Sequence, residues 1–584
     1  MGMSCVLPDG TRLLTTPDVE DVTDASSVDG ASTTSGLDLL LTKTWTFFEP
    51  SDFVYDPDLI EIDSSGLLTL KLIDQTDDDD EVLGFGGGAH FRTEWVSGQG
   101  LTLSSSGKSA GAGSFTSRLI DAGGSVDWES LNLSFPQAYG KGLPDGQGQE
   151  TGYLVSNLDC TDNIVLFHFD DDLNDSSGQA LNGVANGGVT IGASGRIDGG
   201  VAFDGVDDRV DIPDDFVLNT GGPYGNRSIG LWFLSTDSSG KRTLFEAGDT
   251  TRGFNIYLED GVLFAGAWNT DGYGFAGNWA QVAITDGEWT HVALVLAGGA
   301  DSVDPGVLRL YLNGIRVDTA AAGRVYAHGD VALGASSSTL FQDGTTSAGG
   351  EYFKGTLDEV FVFNRALSDA EIENIYVRGA VNWSLQVLSC TSPSGDCTAG
   401  AWVGPDGGSS TQFSEITNTL DGPPEIDLTS IPLASGRGFR YRFQLSTIDN
   451  SIAPIISVVE VGPEHYPAGS PSFECTDPAI FTSLDSGETI LEPGITDDHE
   501  GLIRIQLSTD RTHWYYYDGS DWVPATLGLT HSTDIDDAIT EIESFDEDVS
   551  NANALYWRLY FESIDGLQKT ELEYFRLNFY RYEI

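Results

Sequence analysis

The sequence predicts an all-β protein, a multi-domain set of antiparallel β-sandwiches, and three observations carry that reading. Runs of about four to eight residues alternate apolar and polar character, as half-buried strands do. Examples are SIGLWFLS (228–235), GFNIYLED (253–260), THVALVLA (290–297) and VLRLYLNG (307–314). Turn-forming residues separate these runs, and glycine alone fills 71 of 584 positions, about 12% against the roughly 7% of average usage. Helical periodicity is nearly absent. The exception is LSDAEIENIY (367–376), where Ser368 can cap a helix and Glu371, three residues on, can return the capping-box bond.

A chain this long exceeds a single core, so the strands must divide among domains. The most informative stretch is 163–377. It opens NIVLFHFDDDLNDSSGQALNG, passes through GGVAFDGVDDRVDIP, GEWTHVALVL and LRLYLNGIRV, and closes KGTLDEVFVFNRALSDAEIENIY. Its ordered landmarks are Asp175-Ser176-Ser177-Gly178, Phe203-Asp204-Gly205, Trp289-Thr290-His291-Val292 and the hairpin pair Asn313-Gly314. Leu357-Asp358-Glu359-Val360 and Asn364-Arg365-Ala366-Leu367-Ser368 complete the set. This string resembles the laminin-G-like, concanavalin A-like jelly roll found in extracellular and phage proteins. The resemblance implies two packed antiparallel sheets whose chain ends lie close together.

Adjacent ends make a module easy to insert into a host loop. GSFTSRLIDAGGSVDWESLNLSFP (113–136) breaks off after one strand pair, and VNWSLQVLSC (381–390) with GFRYRFQLSTID (438–449) begins in mid-pattern. Neither flank has strands enough to cover its own apolar faces, so 111–158 plus 380–466 reads as one discontinuous β-sandwich around a jelly roll at 159–379. The C-terminal stretch echoes that host. FTSLDSG (481–487) follows FTSRLIDAG (115–123), IRIQLSTDR (503–511) follows WSLQVLSC, and LYWRLYFESIDG (555–566) follows FRYRFQLSTID. Residues 467–584 therefore read as a second copy without an insertion. Residues 1–110 read as an attachment arm with strands, and no chemistry can be derived from them.

Charge limits the partners. There are 90 acidic against 28 basic residues, a net charge of -62. Each phosphate contact needs a local cation, so this balance excludes nucleic acid and disfavours an anionic membrane surface. With 40% apolar and 10% aromatic residues the chain can nevertheless fold. The charge reads as a hydrated carboxylate shell of the kind salt screens well. No run of about 18 apolar residues offers a bilayer span, and MGMSCVLPDGTRLL lacks the pattern of a secretory signal.

Five cysteines cannot all pair within one chain. Cys390 and Cys397 bracket a short loop and are the expected disulfide, against two unpaired thiols beside a turn. Folds of this kind include glycoside hydrolases, which need two carboxylates flanking the scissile bond. The nearest string, Glu61-Ile62-Asp63-Ser64-Ser65, lies outside the jelly roll, and Asp358 and Glu359 point to opposite faces of one strand. No nucleophile elbow, zinc-protease motif or phosphate loop occurs. The expectation is a protein without catalytic residues.

The resemblance further implies one structural calcium ion near the seam of the chain ends, with Asp171, Asp175, Asp204 and Asp358 at the matching positions. The competing reading of those aspartates is turn capping. For carbohydrate binding the attractive stretch is GAWNTDGYGFAGNW (266–279), with Trp268, Tyr273 and Trp279 as candidates. Aromatic faces pack on sugar C–H surfaces while amides and carboxylates take the hydroxyls. The competing reading packs Trp268 and Trp279 inward.

These strands of argument converge on a structural and adhesive protein: a virion fibre, spike or capsid-decoration subunit whose jelly roll recognises a cell-surface glycan. Its expected partners are itself, as a homo-oligomer, and other virion or surface proteins, and its expected location is the virion. A secreted adhesin or surface-layer protein of a salt-adapted microbe, outside the cell, is the first alternative. A polysaccharide-active hydrolase is the second.

Overall fold

In a computed structural model of the chain, the described residues are 5–6, 12–13, 37–47, 51, 53–57, 59–71, 76–77, 84–270, 275–391, 397, 400–462, 466, 470–481, 484, 489–496, 499–549, 553–563 and 568–583. The architecture is all-β, with antiparallel pairing throughout the named ladders. Its units are nested. A jelly roll sits within an inner sandwich, and the inner sandwich sits within an outer one.

The jelly roll pairs an eight-stranded sheet with a seven-stranded one. Alternation along the strands sends one set of side chains between the sheets. Leu231 and Phe233 of Asn226–Ser235, Val292 and Leu294 of Trp289–Ala297, and Phe254 and Ile256 of Arg252–Glu259 meet in one core there. The helix expected at 367–376 spans Asp369–Ala380, and Ser368 and Glu371 make both capping-box bonds. With the segment 143–160, this helix covers the outer face of the eight-stranded sheet, where Leu143, Leu158, Tyr311, Phe361 and Ile375 form a separate cluster.

The inner sandwich is built from both flanks of the jelly roll. Ala112–Thr116 and Val381–Cys390 pair with opposite edges of Gly436–Thr447, and Ser130–Ser134 pairs with Val458–Gly462 in the facing sheet. Its core also takes Trp232 and Tyr376 from the jelly roll, stacked at 5.5 Å. That shared core joins the two units.

Residues 37–103 depart from the expected arm. Ala89–Phe91 pairs with Ala112–Thr116, and Gly100–Leu103 pairs with Ile455–Ile456, so this stretch completes the inner sandwich. Leu37–Thr46 pairs along Glu571–Glu583, Phe53–Val54 pairs with Ser472–Cys475, and the hairpin Ile60–Ile62 with Leu68–Leu70 joins Glu571–Glu583. The C-terminal unit is thus also split, and takes Trp45, Phe47, Ile60 and Leu68 into its core. Short alternating strands carry no mark of their distant partners, which is why 467–584 reads as self-sufficient in sequence.

Candidate functional site

The two faces of the jelly roll differ. The eight-stranded sheet is covered by the helix and the inner sandwich. The outer face of the seven-stranded sheet is covered in part by the chain's own loop at 335–351. Asn255 donates to Thr339 Oγ1 at 3.0 Å and to the Leu340 carbonyl at 2.9 Å. Antiparallel register sets a row across this face: Glu246 stands opposite Asn255, Asn255 opposite Gly266, and Gly266 opposite Trp279.

The end of that row is an aromatic surface. A Cβ on Gly266 would meet the pyrrole part of the Trp279 ring at 2.1 Å, and one on Gly277 would meet its six-membered part at 2.4 Å. The indole therefore lies flat across two glycines, a position that only residues without side chains permit. Trp279 Nε1 donates to Asn255 Oδ1 at 2.8 Å, which fixes the ring's rotation. Trp279 is half-buried. Trp268 corrects the expectation of a sugar contact: it is fully buried, its Nε1 donates to the Asp249 carbonyl, and it stacks beside Trp279 at 6.1 Å as a support. Tyr273 lies outside the described residues.

Glu246, which motif reasoning missed, is fully buried in the same row. Its Oε2 accepts from Ser337, while Oε1 has no hydrogen-bond partner among the described residues. Burial pushes its carboxyl well above the usual range.

The four expected calcium ligands do not form a set. Asp175 spends both oxygens on Leu166 N, Ser177 N, Ser177 Oγ and Leu181 N. Asp358 is fully buried and accepts from Arg196 N, Ile197 N and Glu359 N. Carboxylates so saturated organise turns, the competing reading of these residues. Asp171 is exposed. Asp204 alone stands in a carboxylate group, with Asp207 and Asp208, whose ligand atoms lie within 4.8 Å of one another. Two of those three carboxylates already accept backbone N–H bonds, Asp204 from Val206 and Asp208 from Gly188 and Asp204. Cys390 and Cys397 are disulfide-bonded, and Cys160 and Cys475 are buried thiols.

A second concavity, of about 270 Å³, opens where the jelly roll meets the inner sandwich. His168 lines it, with Nδ1 2.6 Å from Glu359 Oε1 and Nε2 3.1 Å from Asp145 Oδ1. Burial opposes charge on this imidazole, but Glu359 and Asp145 outweigh it and hold the pKa well above its ordinary value. Glu359 Oε2 also accepts from Leu143 N at 2.9 Å. Behind this wall runs a buried ionic seam. Arg378 makes a two-point contact with Glu150, and Lys141 donates to Tyr153 and to the Leu420 carbonyl. Tyr153 donates to Glu415, whose carboxyl burial pushes up to about 7. No motif announced this site, because its groups come from five separate stretches of chain.

Residues 203–373 match a family model described as the concanavalin A-like lectin/glucanases superfamily, so the chain carries a concanavalin A-like domain. No curated protein matches the chain. Among solved structures, domain 4 of a GH43 extracellular arabinanase from Geobacillus stearothermophilus, in complex with arabinotriose, is similar at 21% identity. That match covers 37% of this chain and 98% of the other, with a TM-score of 0.29. The CBM40 of a Ruminococcus gnavus sialidase, bound to α2,3-sialyllactose, is similar at 20% identity over 26% of this chain and 83% of its own (TM-score 0.22). The binding domain of botulinum neurotoxin serotype C1 is similar at 9% identity over 72% and 94% (TM-score 0.30).

Proposed function

We propose that this protein is a non-enzymatic recognition and display protein whose jelly roll binds carbohydrate on the outer face of the seven-stranded sheet. The observation that carries the reading is the Trp279 indole, laid flat over Gly266 and Gly277 and locked by Asn255. A flat, fixed ring offers a sugar its C–H stacking surface at little entropic cost. The test is a glycan panel probed with the full chain and with Trp279→Ala. Binding should weaken at least about tenfold, near 1.4 kcal/mol. Equal binding by both proteins would remove Trp279 from the site.

In this reading the nested sandwiches present the jelly roll on a virion fibre, spike or capsid decoration, as a homo-oligomer beside other virion proteins. The disulfide Cys390–Cys397 fits an oxidising exterior, and a virion surface and a secreted adhesin both provide one. Immunogold labelling of virions against envelope fractions separates those two settings. Release of reducing sugar from a polysaccharide would instead favour a hydrolase. Calcium, as a proposal, moves from the four aspartates of the resemblance to Asp204, Asp207 and Asp208. A melting temperature unchanged by chelator at constant ionic strength would remove it.

A further inference from the structure

We infer that the concavity between the jelly roll and the inner sandwich is a second ligand site, one that takes a saccharide unit bearing no negative charge. The inference does not depend on Trp279. It starts from the shape: about 270 Å³, closed on one side by the jelly roll and on the other by the inner-sandwich loop at 416–421. That volume lies just below the ordinary range of small-molecule pockets and suits one ring rather than a long chain. Side-chain exposure of 71% at Asp145 places that carboxylate at a mouth open to water.

The chemistry of the walls narrows the ligand. Asp145, Asp170, Asp198, Glu359 and Asp421 line the site, against Lys141 and His168. Both cations are already engaged: Lys141 by Tyr153 and the Leu420 carbonyl, His168 by Glu359 and Asp145. What remains for a ligand is mainly the carboxylates of Asp145, Asp170, Asp198 and Asp421, which accept hydrogen bonds and offer none, beside the Thr417 and Thr419 hydroxyls. The occupant must therefore donate. Hydroxyl groups and ammonium groups do so, whereas a carboxylate or sulfate would meet like charge in a chain already at -62.

Two further features fit a sugar better than a bare cation. Leu143 and Ile197, both buried, give the site an apolar floor for a C–H face. The lining carboxylates do not converge: among the described residues the grouping tight enough for a metal ion is at 204–208, elsewhere on the jelly roll. Asp170 is held in place by Gly199 N at 3.0 Å, and burial with the neighbouring Glu359 charge pushes its carboxyl above the usual range. A donor from a ligand would relieve that crowding. Because one wall belongs to each unit, the ligand would also tie the jelly roll to the inner sandwich.

The experiment titrates the full chain with neutral hexoses, protonated hexosamines and hexuronates, followed by saturation-transfer NMR and thermal shift. Two variants address the site from its two walls: Asp170→Asn, and Thr419→Trp, which fills the mouth from an exposed loop position. Hexoses or hexosamines should bind and raise the melting temperature. Thr419→Trp should abolish that binding, Asp170→Asn should weaken it about tenfold, and Trp279→Ala should leave it unchanged. The inference is overturned if hexuronates bind equally well, or if no neutral or amino sugar binds in a Thr419→Trp-sensitive way. Binding lost in Trp279→Ala but kept in Thr419→Trp overturns it too, while leaving the sheet-face reading intact.

Discussion

The inner and outer sandwiches are two versions of one pattern, and they differ in what interrupts them. In the inner unit Phe115 stands opposite Phe443, and Phe443 opposite Leu385; in the outer unit Phe473 stands opposite Leu559, and Leu559 opposite Ile505. An arginine and a glutamine face each other in both, Arg442 with Gln386 and Arg558 with Gln506. Each glutamine amide then holds a loop by two carbonyls, at Ser409 and Thr411 or at Thr526 and His531. Each arginine lies over an indole, Trp402 at 4.7 Å or Trp514 at 3.9 Å. Even the N-terminal hairpins correspond, as EIDSSGLLTL (61–70) beside EWVSGQGLTL (94–103). The units differ in what interrupts them. Where the outer unit passes from Ile490–Ile495 to Leu502–Ser508 by a short connection, the inner unit carries the whole jelly roll. The buried ionic seam described above lies at that insertion, so the extra polar machinery belongs to the joint rather than to the sandwich.

The largest expected effect comes from removing residues 37–71. The outer core would lose Trp45, Phe47, Phe53, Ile60, Leu68 and Leu70, each worth about 1.5–3 kcal/mol. That loss rivals the entire stability of a domain, about 5–15 kcal/mol. Hydrogen exchange should show 472–583 unprotected while the jelly roll and inner sandwich stay protected. Persistent protection of Glu571–Glu583 would mean the C-terminal copy folds alone.

Next in size is the seam. Glu150→Ala leaves the fully buried Arg378 guanidinium without its carboxylate, and should cost about 3–5 kcal/mol in urea unfolding. The outer unit's Glu474→Ala releases Arg511, a third exposed, and Arg558, 12% exposed, so both regain some water and the cost should be lower, about 1–3 kcal/mol. Equal costs would contradict a seam built at the insertion. Smaller than the Glu150 effect, Gln386→Ala and Gln506→Ala should each cost about 2 kcal/mol for the two loop bonds lost. A neutral result at one position alone would break the equivalence of the two units.

The smallest effect is the pH dependence that the joint contributes. The native pKa of His168 is raised above the ordinary 6.5. Its stabilisation is therefore complete below pH 6.5 and is lost as pH rises through the native value. Glu415, raised to about 7, acts in the same direction between pH 4.5 and 7. Urea midpoints measured from pH 6 to 9 should fall more steeply in the wild type than in His168→Gln. Parallel curves would remove the imidazole from the joint.

Much of this was legible in the residues. The fold class, the capped helix and the echo between 503–566 and 381–449 follow from period, turn chemistry and repetition, because those signals are local, and the jelly roll follows from the family resemblance of its ordered landmarks. The nesting of residues 37–71 in the outer sandwich was not legible, since pairing between Leu37–Thr46 and Glu571–Glu583 leaves no trace in either strand. Site residues divide the same way. Trp279 stood out as an aromatic among glycines, yet composition could not tell its flat, accessible ring from the buried Trp268 behind it. Asp175 and Asp358 look like ligands until their hydrogen bonds are counted. His168, Glu359 and Asp145 become a site only when insertion brings their segments together.

The central claim, that the jelly roll recognises carbohydrate while the two sandwiches hold it, is tested most directly by hydrogen exchange of the full chain with its best-binding panel glycan. The account predicts new protection in Arg252–Glu259, Val262–Asn269 and Phe275–Ala283, absent in Trp279→Ala. Protection confined to the outer sandwich, and unaffected by that substitution, would contradict it.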